Sequence, residues 1–468
     1  MTRATFTLLI VSATGIGCAE YEPKPIERAT NETWTRELAP ETLRVAASEL
    51  QHPILKPLQL DPSKGLSPDE IGVLAVILNP DLRAERDRRA IAHAQLLQAG
   101  LLPNPQLAAN LDFPYDSSAP DDHTAYGLGL TWDITSLIGR SDRQRAAAEE
   151  SQAIELEIAW KEWQTAQAAK TGAYNVIALE QALAIAREIG QQLLENRQLI
   201  QRAVDAHQKT VLDLSAAESA ARDAEEAVAA QERELARERL QLNASLGLAP
   251  ETVLKLRDQD LPSHVSLPTM SQLIDDMETR RLDLVALRHG YQSQEAAVRA
   301  AILGQFPKIN AGPSLARDTS AVKTIGIGVT IDLPIFDRNQ AAIAQERATR
   351  AKLFDEYTGR RFAARTEIAL AMQEIQSITK QIEATETSVA SLQRLTKTYK
   401  EALEQGNTDI VSFYSAVSEL AKKRIEANKL KQELVQQWIA LELASGEFLN
   451  MAQTATAPTS QTETGIVR

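Results

Sequence analysis

The 468 residues are enough for two or three ordinary domains, yet only 4% are aromatic and Ala, Glu, Gln and Leu dominate, a balance that favours long helices over a compact enzyme. A formal net charge of −13 excludes nucleic acid as the expected partner, because no basic face emerges to neutralise phosphates. No segment after position 20 runs to about eighteen consecutive apolar residues, so no transmembrane helix is expected there, and membrane insertion would require a β-barrel.

Residues 1–17 read as a secretory signal peptide, in which Arg3, an apolar run from Phe6 to Val11 and a series of small residues lead to Cys18. Cys18 is the only cysteine, so no disulfide framework braces the fold. Its place after Gly17 resembles the lipobox of bacterial lipoproteins, which implies acylation of Cys18. An ordinary cleaved signal is the alternative, since Gly15 stands where a lipobox usually has Leu. Residues 18–66 are rich in Pro, Glu and Thr without a clear period and read as an extended N-terminal arm.

Two repeats follow, 67–250 and 251–450, and residues 451–468 form a Thr, Ala, Gln and Pro tail expected to be disordered. In the first repeat, Ser67-Pro68-Asp69-Glu70 is a capping box with Pro at the first helical position. The helix it starts is expected to continue through NPDLRAERDRRAIAHAQLLQAG and stop before Pro103. Strands are predicted at about 106–113 and 125–134, with a polar loop between them. Leu107, Ala109, Leu111 and Phe113 share one face of the first strand. In the second, Tyr126, Leu128, Leu130, Trp132 and Ile134 alternate with Gly127, Gly129, Thr131 and Asp133. No Pro occurs from Arg140 to Ala249, which predicts a helix of roughly 65 residues, a turn within AHQKTVLD (206–213), and a return helix ending near Gly247. At 1.5 Å per residue the outward helix would be about 100 Å long, thicker than any globular domain.

The second repeat keeps this order. Thr269 with Gln272 is a second capping signature, followed by a helix running to the Phe306-Pro307 break. Strands are predicted at about 308–316 and 324–333, with Pro313 marking the first as irregular or close to a rim. Ile325, Ile327, Val329, Ile331 and Leu333 fall on one face of the last strand, and Gly326, Gly328, Thr330 and Asp332 on the other. A Pro-free helical run from Asp337 to Glu447 is broken at Gln405-Gly406-Asn407. The return helices share a register: Leu214, Ala221, Val228, Leu235 and Leu242 recur 199 positions later as Phe413, Leu420, Ala427, Leu434 and Leu441. A period of seven implies coiled-coil packing.

Strands apolar on one face and tiny or polar on the other suit a barrel with lipid outside and water inside; a half-buried strand of a soluble sheet has the same alternation. Four strands cannot close a barrel, because the smallest closed ones need about eight. Two copies would give a nearly filled eight-stranded barrel, whereas three would give twelve strands and an aqueous lumen that the long helices carry onward. The residues therefore point to a mainly α chain with a small transmembrane β part, acting as a passive conduit.

The duplicated order of helix, strand hairpin and long helical hairpin, from Ser67 to Glu447, resembles the TolC-like outer membrane efflux family. Residues 79–107 and 333–345 (LPIFDRNQAAIAQ) are similar to its cobalt-zinc-cadmium, CzcC-like branch. The resemblance implies a homotrimer with a twelve-stranded β-barrel in the outer membrane of a Gram-negative bacterium, continued by a periplasmic α-helical barrel. It also implies a periplasmic adaptor and an inner-membrane pump of the resistance-nodulation-division type as partners, with heavy-metal cations as substrates. Drug efflux and type I protein secretion are the alternatives on the same fold.

The family contacts its adaptor through the turns between outward and return helices. The matching positions are His207, Thr210, Val211 and Leu212 in the first copy, which lacks the family's Gly, and Gly406, Asn407, Thr408, Asp409, Ile410 and Val411 in the second. An acidic pair that narrows the entrance of drug-exporting members falls on Arg394 and Lys397, so that constriction does not carry over. Glu401 and Glu404 could supply another acidic ring, or be solvated surface carboxylates. Asp133 and Asp332 occupy equivalent small-face positions, where they would favour cations in a lumen or cap the element that follows. Pro334, Phe336 and Asp337 mark the expected junction of barrel and tube. His123 beside Asp121 and Asp122 is the nearest approach to a metal cluster, and a solvated loop histidine explains it equally. No catalytic, cofactor or metal motif is present, and an enzyme is not expected. A periplasmic coiled-coil adaptor or scaffold lipoprotein is the rival of another class; it should carry one hairpin rather than two, each preceded by a strand pair.

Overall fold

The computed structural model describes residues 21–26, 40–61, 64–115, 123–405, 410–449 and 451. The signal peptide, Cys18, Gly406, Asn407, Thr408 and Asp409, the side chain of Glu404, and 452–468 of the tail lie outside the described residues. The arm is not wholly extended: helix α1 (Pro40–Ser48) lies within it. Ala47 on this helix is fully buried and the Arg44 guanidinium donates to the Leu60 carbonyl, so tertiary contact rather than a local signal makes it helical.

Helix α2 (Pro68–Leu78) starts at the expected capping box, with Ser67 Oγ accepting from the Glu70 amide and Glu70 Oε2 accepting from the Ser67 amide. The single long helix expected here is interrupted at Asn79, and α3 (Pro80–Gly100) follows. Pro80 supplies no amide hydrogen and its ring disfavours helical geometry in the preceding residue. Asn79 accordingly sits at φ −55°, ψ 124°, and its Oδ1 caps α3 by accepting from Asp81 and Leu82. Strands β1 (Gln106–Asp112) and β2 (Ala125–Asp133) form the first hairpin. The outward helix α4 (Arg140–Asp205) has 66 residues, and the return helix α5 (Val211–Ser245) has 35.

In the second half, the helix expected after Thr269 is three pieces, α6 (Met270–Asp275), α7 (Met277–Arg280) and α8 (Leu282–Leu303). The pieces meet at Asp276 and Arg281, and Leu273, Met277 and Leu284, one from each, are buried in the same core. Strands β3 (Ile309–Arg317) and β4 (Lys323–Ile331) lead to α9 (Gln340–Glu404), of 65 residues, and α10 (Ile410–Ser445).

The duplication is visible in individual atoms. Asn79 Nδ2 donates to the Ser245 carbonyl at 2.8 Å, and Arg281 Nη1 donates to the Ala444 carbonyl, 199 positions on, at 3.1 Å. Each return helix is followed by a left-handed glycine, Gly247 at φ 67° and Gly446 at φ 69°. The segments leading into the two repeats meet in a parallel bridge between Leu66 and Leu256. Of the heptad positions, Leu235, Leu242, Leu434 and Leu441 are buried seam residues, whereas Leu214, Val228 and Leu420 are only half-buried.

Candidate functional site

The four strands form one antiparallel sheet in the order β1-β2-β3-β4, so the two hairpins join through β2 and β3. Register aligns their faces. Leu107, Ala109 and Leu111 pair with Leu130, Leu128 and Tyr126; Leu128 pairs onward with Leu315, and Leu315 with Ile325. The opposite face carries the row Ala108, Gly129, Ser314, Gly326 and the row Asn110, Gly127, Ala316, Thr324. One face is therefore apolar except in the row nearest the tips, which ends in Arg317 and Lys323, and the other is small and polar. Ile327 on the apolar face is 81% exposed. The outer strands β1 and β4 each have a neighbour on one side only.

Gly312 is required by close approach. A Cβ built there would lie 1.8 Å from the Leu130 carbonyl oxygen, whereas at Gly129 it would meet nothing within 4 Å. At one end of the sheet the hairpin tips are tied together, with the His123 amide donating to the Thr319 carbonyl and Asp318 Oδ1 accepting from Ser320 and Val322. His123 is exposed, and Asp121 and Asp122 are outside the described residues. Among the described residues no group of three or more His, Cys, Asp or Glu is arranged to hold a metal, and no helix is long and apolar enough to cross a membrane.

At the other end the strands pass into the helices. Trp132 Nε1 donates to the Pro103 carbonyl at 2.7 Å; Thr135 Oγ1 donates to the Pro307 carbonyl and accepts from the Ile309 amide. Arg140 clamps the Gly100 carbonyl with Nε and Nη2 at 3.1 and 2.5 Å. Asp133 Oδ1 accepts from the Ser136 amide at 3.1 Å, so its carboxylate holds the short 3-10 turn Thr135–Leu137 that opens the first junction. Asp332 stands just beyond β4, exposed, with its amide donating to the Lys308 carbonyl. Asp337 Oδ1 accepts from the Asn339 amide, and Asn339, left-handed at φ 60°, donates through Nδ2 to the Ala301 carbonyl. Around Pro334 the chain presents Leu333, Ile335 and Phe336 outward, with Ile138 exposed at the first junction; Phe336 is 92% exposed. The sequence reading marked Phe336 as a junction residue but missed this apolar group, which the Leu-Pro-Ile-Phe run could have revealed.

At the far end of the helices, the first tip has no glycine, and His207 adopts the left-handed conformation at φ 59°. Thr210 and Asp213 form a capping box, and the hydrogen bond donated by the Thr210 backbone amide holds the Asp213 carboxyl below its usual range. Val211, Leu212 and Val411 are exposed, Leu212 at 80%. Ile410 departs from the expectation that it faces a partner. It is 2% exposed, packed in a core with Phe413, Tyr414, Ile189 and Leu193, because the first turn of α10 rests on α4. Glu401 is exposed one turn before the second tip, on the same helix as Arg394 and Lys397.

The sequence model of the family described as Outer membrane efflux protein matches residues 273–447. No curated protein matches the chain. Among solved structures, the chain is similar to CusC at 20% identity and TM-score 0.66, covering 86% of this chain and 99% of that one. It is also similar to the outer-membrane channel OprN at 18% identity and TM-score 0.71, with 92% and 99% covered. For the outer membrane protein VceC of Vibrio cholerae the values are 16%, 0.68, 81% and 96%. The described fold, mainly helical with one four-stranded antiparallel sheet, is that of these channels.

Proposed function

We propose that this chain, which has the fold of the outer membrane efflux channels and that family's sequence signature over residues 273–447, is the passive outer membrane conduit of a tripartite efflux system. The observation that carries the reading is the two-faced sheet with two open edges, set in line with two helical hairpins about 100 Å long. An open sheet with an apolar face cannot stand in lipid with unpaired edges, and pairing β4 of one copy with β1 of the next satisfies both. Three copies give a twelve-stranded barrel with room for water, lipid against the apolar face and the glycine-rich face inside. The long helices extend that lumen through the periplasm to an adaptor and an inner-membrane pump, which supplies the energy; the chain itself performs no chemistry.

Internal symmetry supports the assembly. Helix α8 packs on both outward helices, α4 and α9, whereas its counterpart α3 packs on α4 and leaves Ile91 and Leu97 60% and 68% exposed. Phe354, Phe362 and Leu370 are correspondingly exposed on α9. A neighbouring copy that seats its α9 against α3 covers both surfaces.

The substrates in this reading are heavy-metal cations, supported by the helix-junction segments 79–107 and 333–345. Asp332, repeated around the threefold axis, would favour cations on the lumen side. Cys18 would be acylated and anchor the arm at the membrane. Deleting the gene and testing sensitivity to divalent metals, drugs and detergents decides the substrate: selective loss of metal tolerance is expected, and drug sensitivity without any metal sensitivity would refute the metal assignment. Purified protein should form a heat-modifiable trimer that conducts in planar bilayers, and a protein held by one lipid without a barrel would not.

A further inference from the structure

The rows of side chains on the apolar face run from the helix junction to the hairpin tips. Ile309 pairs with Ile331 beside the helices; at the tips, Leu111, Tyr126, Arg317 and Lys323 stand side by side across all four strands. Within the strands, Arg317 and Lys323 are the only charged side chains on this face. Both are cations, and they are direct cross-strand partners. Like charges in that position repel each other and weaken a sheet, and an anion held between them removes the penalty.

That anion does not come from the described residues. Neither Arg317 nor Lys323 forms an ion pair among them. Asp318 follows Arg317 directly, but its Oδ1 accepts from the Ser320 and Val322 amides, each at 2.9 Å. Asp112 belongs to the opposite face, where Asn110 Nδ2 donates to it at 3.3 Å. Lys323 is exposed and Arg317 half-buried.

Position along the strand sets the depth of this pair. The nine residues of β4 rise about 27 Å along the strand, which is about 20 Å of bilayer at the tilt of a membrane barrel. An outer-membrane barrel shows hydrocarbon an apolar band about 25 Å tall, so Lys323 and Ile331 stand at its two borders. Arg317 and Lys323 are therefore level with lipid headgroups. Tyr126 in the same row and Phe113 beyond it, 73% exposed, are aromatic residues suited to that level.

In the channel reading, on which this inference rests, the helices run into the periplasm and the hairpin tips reach the outer leaflet. We propose that Arg317 and Lys323 form a binding site for the phosphate of an anionic lipid in that leaflet. The guanidinium fork takes two phosphate oxygens and the ammonium a third, while the acyl chains lie along Leu315, Ile325 and Ile327. Free phosphate has no chains and forgoes that apolar contact. Threefold assembly provides three such sites, each beside the β4 edge.

Native mass spectrometry of the full-length trimer in neutral detergent tests the site, with dioleoyl phosphatidic acid as the probe and dioleoylglycerol, which has the same chains and no phosphate, as its control. The wild type should bind up to three phosphatidic acid molecules per trimer, about tenfold or more tighter than dioleoylglycerol, the worth of a charge-assisted hydrogen bond. R317Q/K323Q should lose this preference. K308Q, the same change of charge at the other end of the sheet, should keep it. A heat-modifiable trimer on unheated gels shows that each variant has folded, and if the double variant does not form one, K323Q alone should reduce the preference at least about threefold. Equal affinity for the two lipids, a preference undiminished in the folded variant, or an equal loss in K308Q would overturn the proposal. Complete displacement of the lipid by about 10 mM inorganic phosphate would also overturn it, by showing a site for free anions. A trimer that conducts in planar bilayers without preferring phosphatidic acid refutes this inference alone, whereas a chain that forms no trimer refutes the channel reading and the site together.

Discussion

Single residues fasten this molecule in ways that depend on one proton or one missing methyl group. His52 is wholly buried at its side chain and fixes the arm to α4: Nδ1 accepts from the amides of Ile54 and Leu55, and Nε2 donates to the Ala159 carbonyl at 2.9 Å. That set of partners requires the neutral ring, and burial lowers its pKa from the usual 6.5, against the opposing pull of the Ala159 carbonyl and Glu162, with Arg86 adding to the lowering. The unfolded chain then binds the proton more readily than the folded one. His52 therefore supports the fold fully above about pH 6.5 and loses that contribution as the pH falls toward the folded pKa. The Tm of the wild type should drop more between pH 7.5 and pH 5 than that of H52Q, and identical drops would remove the effect. Gly312 is the other extreme of sensitivity. G312A forces a strand backbone apart and should abolish the heat-modifiable trimer, while G129A, which meets open space, should leave it intact on unheated gels.

Elements show which parts of the helix tips are available to a partner. Val411 and Leu212 are exposed beyond the last core layer, whereas Ile410 belongs to that layer. V411D and L212D should abolish crosslinking to the adaptor and restore sensitivity, with trimer levels unchanged. I410D should instead lower stability by about 2–5 kcal/mol, through burial of a charge in place of a packed side chain, and reduce trimer yield. Loss of trimer in V411D, or a fully stable I410D, would reverse these assignments. Helix lengths were readable in advance, because long Pro-free runs of helix formers leave few stopping points. The breaks at Asp276 and Arg281 were not, since no Pro or Gly marks them and they serve core contacts made far along the chain.

On the scale of the whole molecule, one buried ion pair joins the two repeats. Lys170 on α4 and Glu442 on α10 are 4% and 0% exposed. Burial works against the charge on Lys170, but Glu442 and Asp69 outweigh it and hold the ammonium above its usual pKa. Their repeat counterparts, Ala369 and Asn243, carry no charge, so the pair is a feature of the joint between repeats. K170M leaves a buried carboxylate unpaired and should cost about 3–5 kcal/mol, measured as a loss of thermal stability; a much smaller cost would show that the joint does not depend on the pair. In the proposed trimer the same symmetry would put the contact between copies on α3 and α9. Ala341, Ala344 and Ala348 line an exposed side of α9 near its start, where Leu97 of a neighbouring α3 would lie. A cysteine at Leu97 combined with one at Ala341, Ala344 or Ala348 should yield disulfide-linked dimers and trimers, absent from each single variant. No crosslink in any pair would place the copies differently.

Local pattern was enough for the strands, the outward and return helices and the duplication, because alternation, heptads and capping boxes are written in neighbouring residues. Pairing ends within two residues of the expected strand limits, at Asp112 and Ile331, where the ladder itself stops. Three features were decided only by residues distant in the chain. The helix in the arm exists because α1 packs on a core it does not encode; the faces of two hairpins about 200 residues apart become one wall through the β2–β3 register; and Lys170, Glu442, Trp163 and Gln167 are buried. On the page, Lys170 and Glu442 resemble the solvated charges found along any long helix. Burial is set by what packs against a helix face, and neither periodicity nor composition records it.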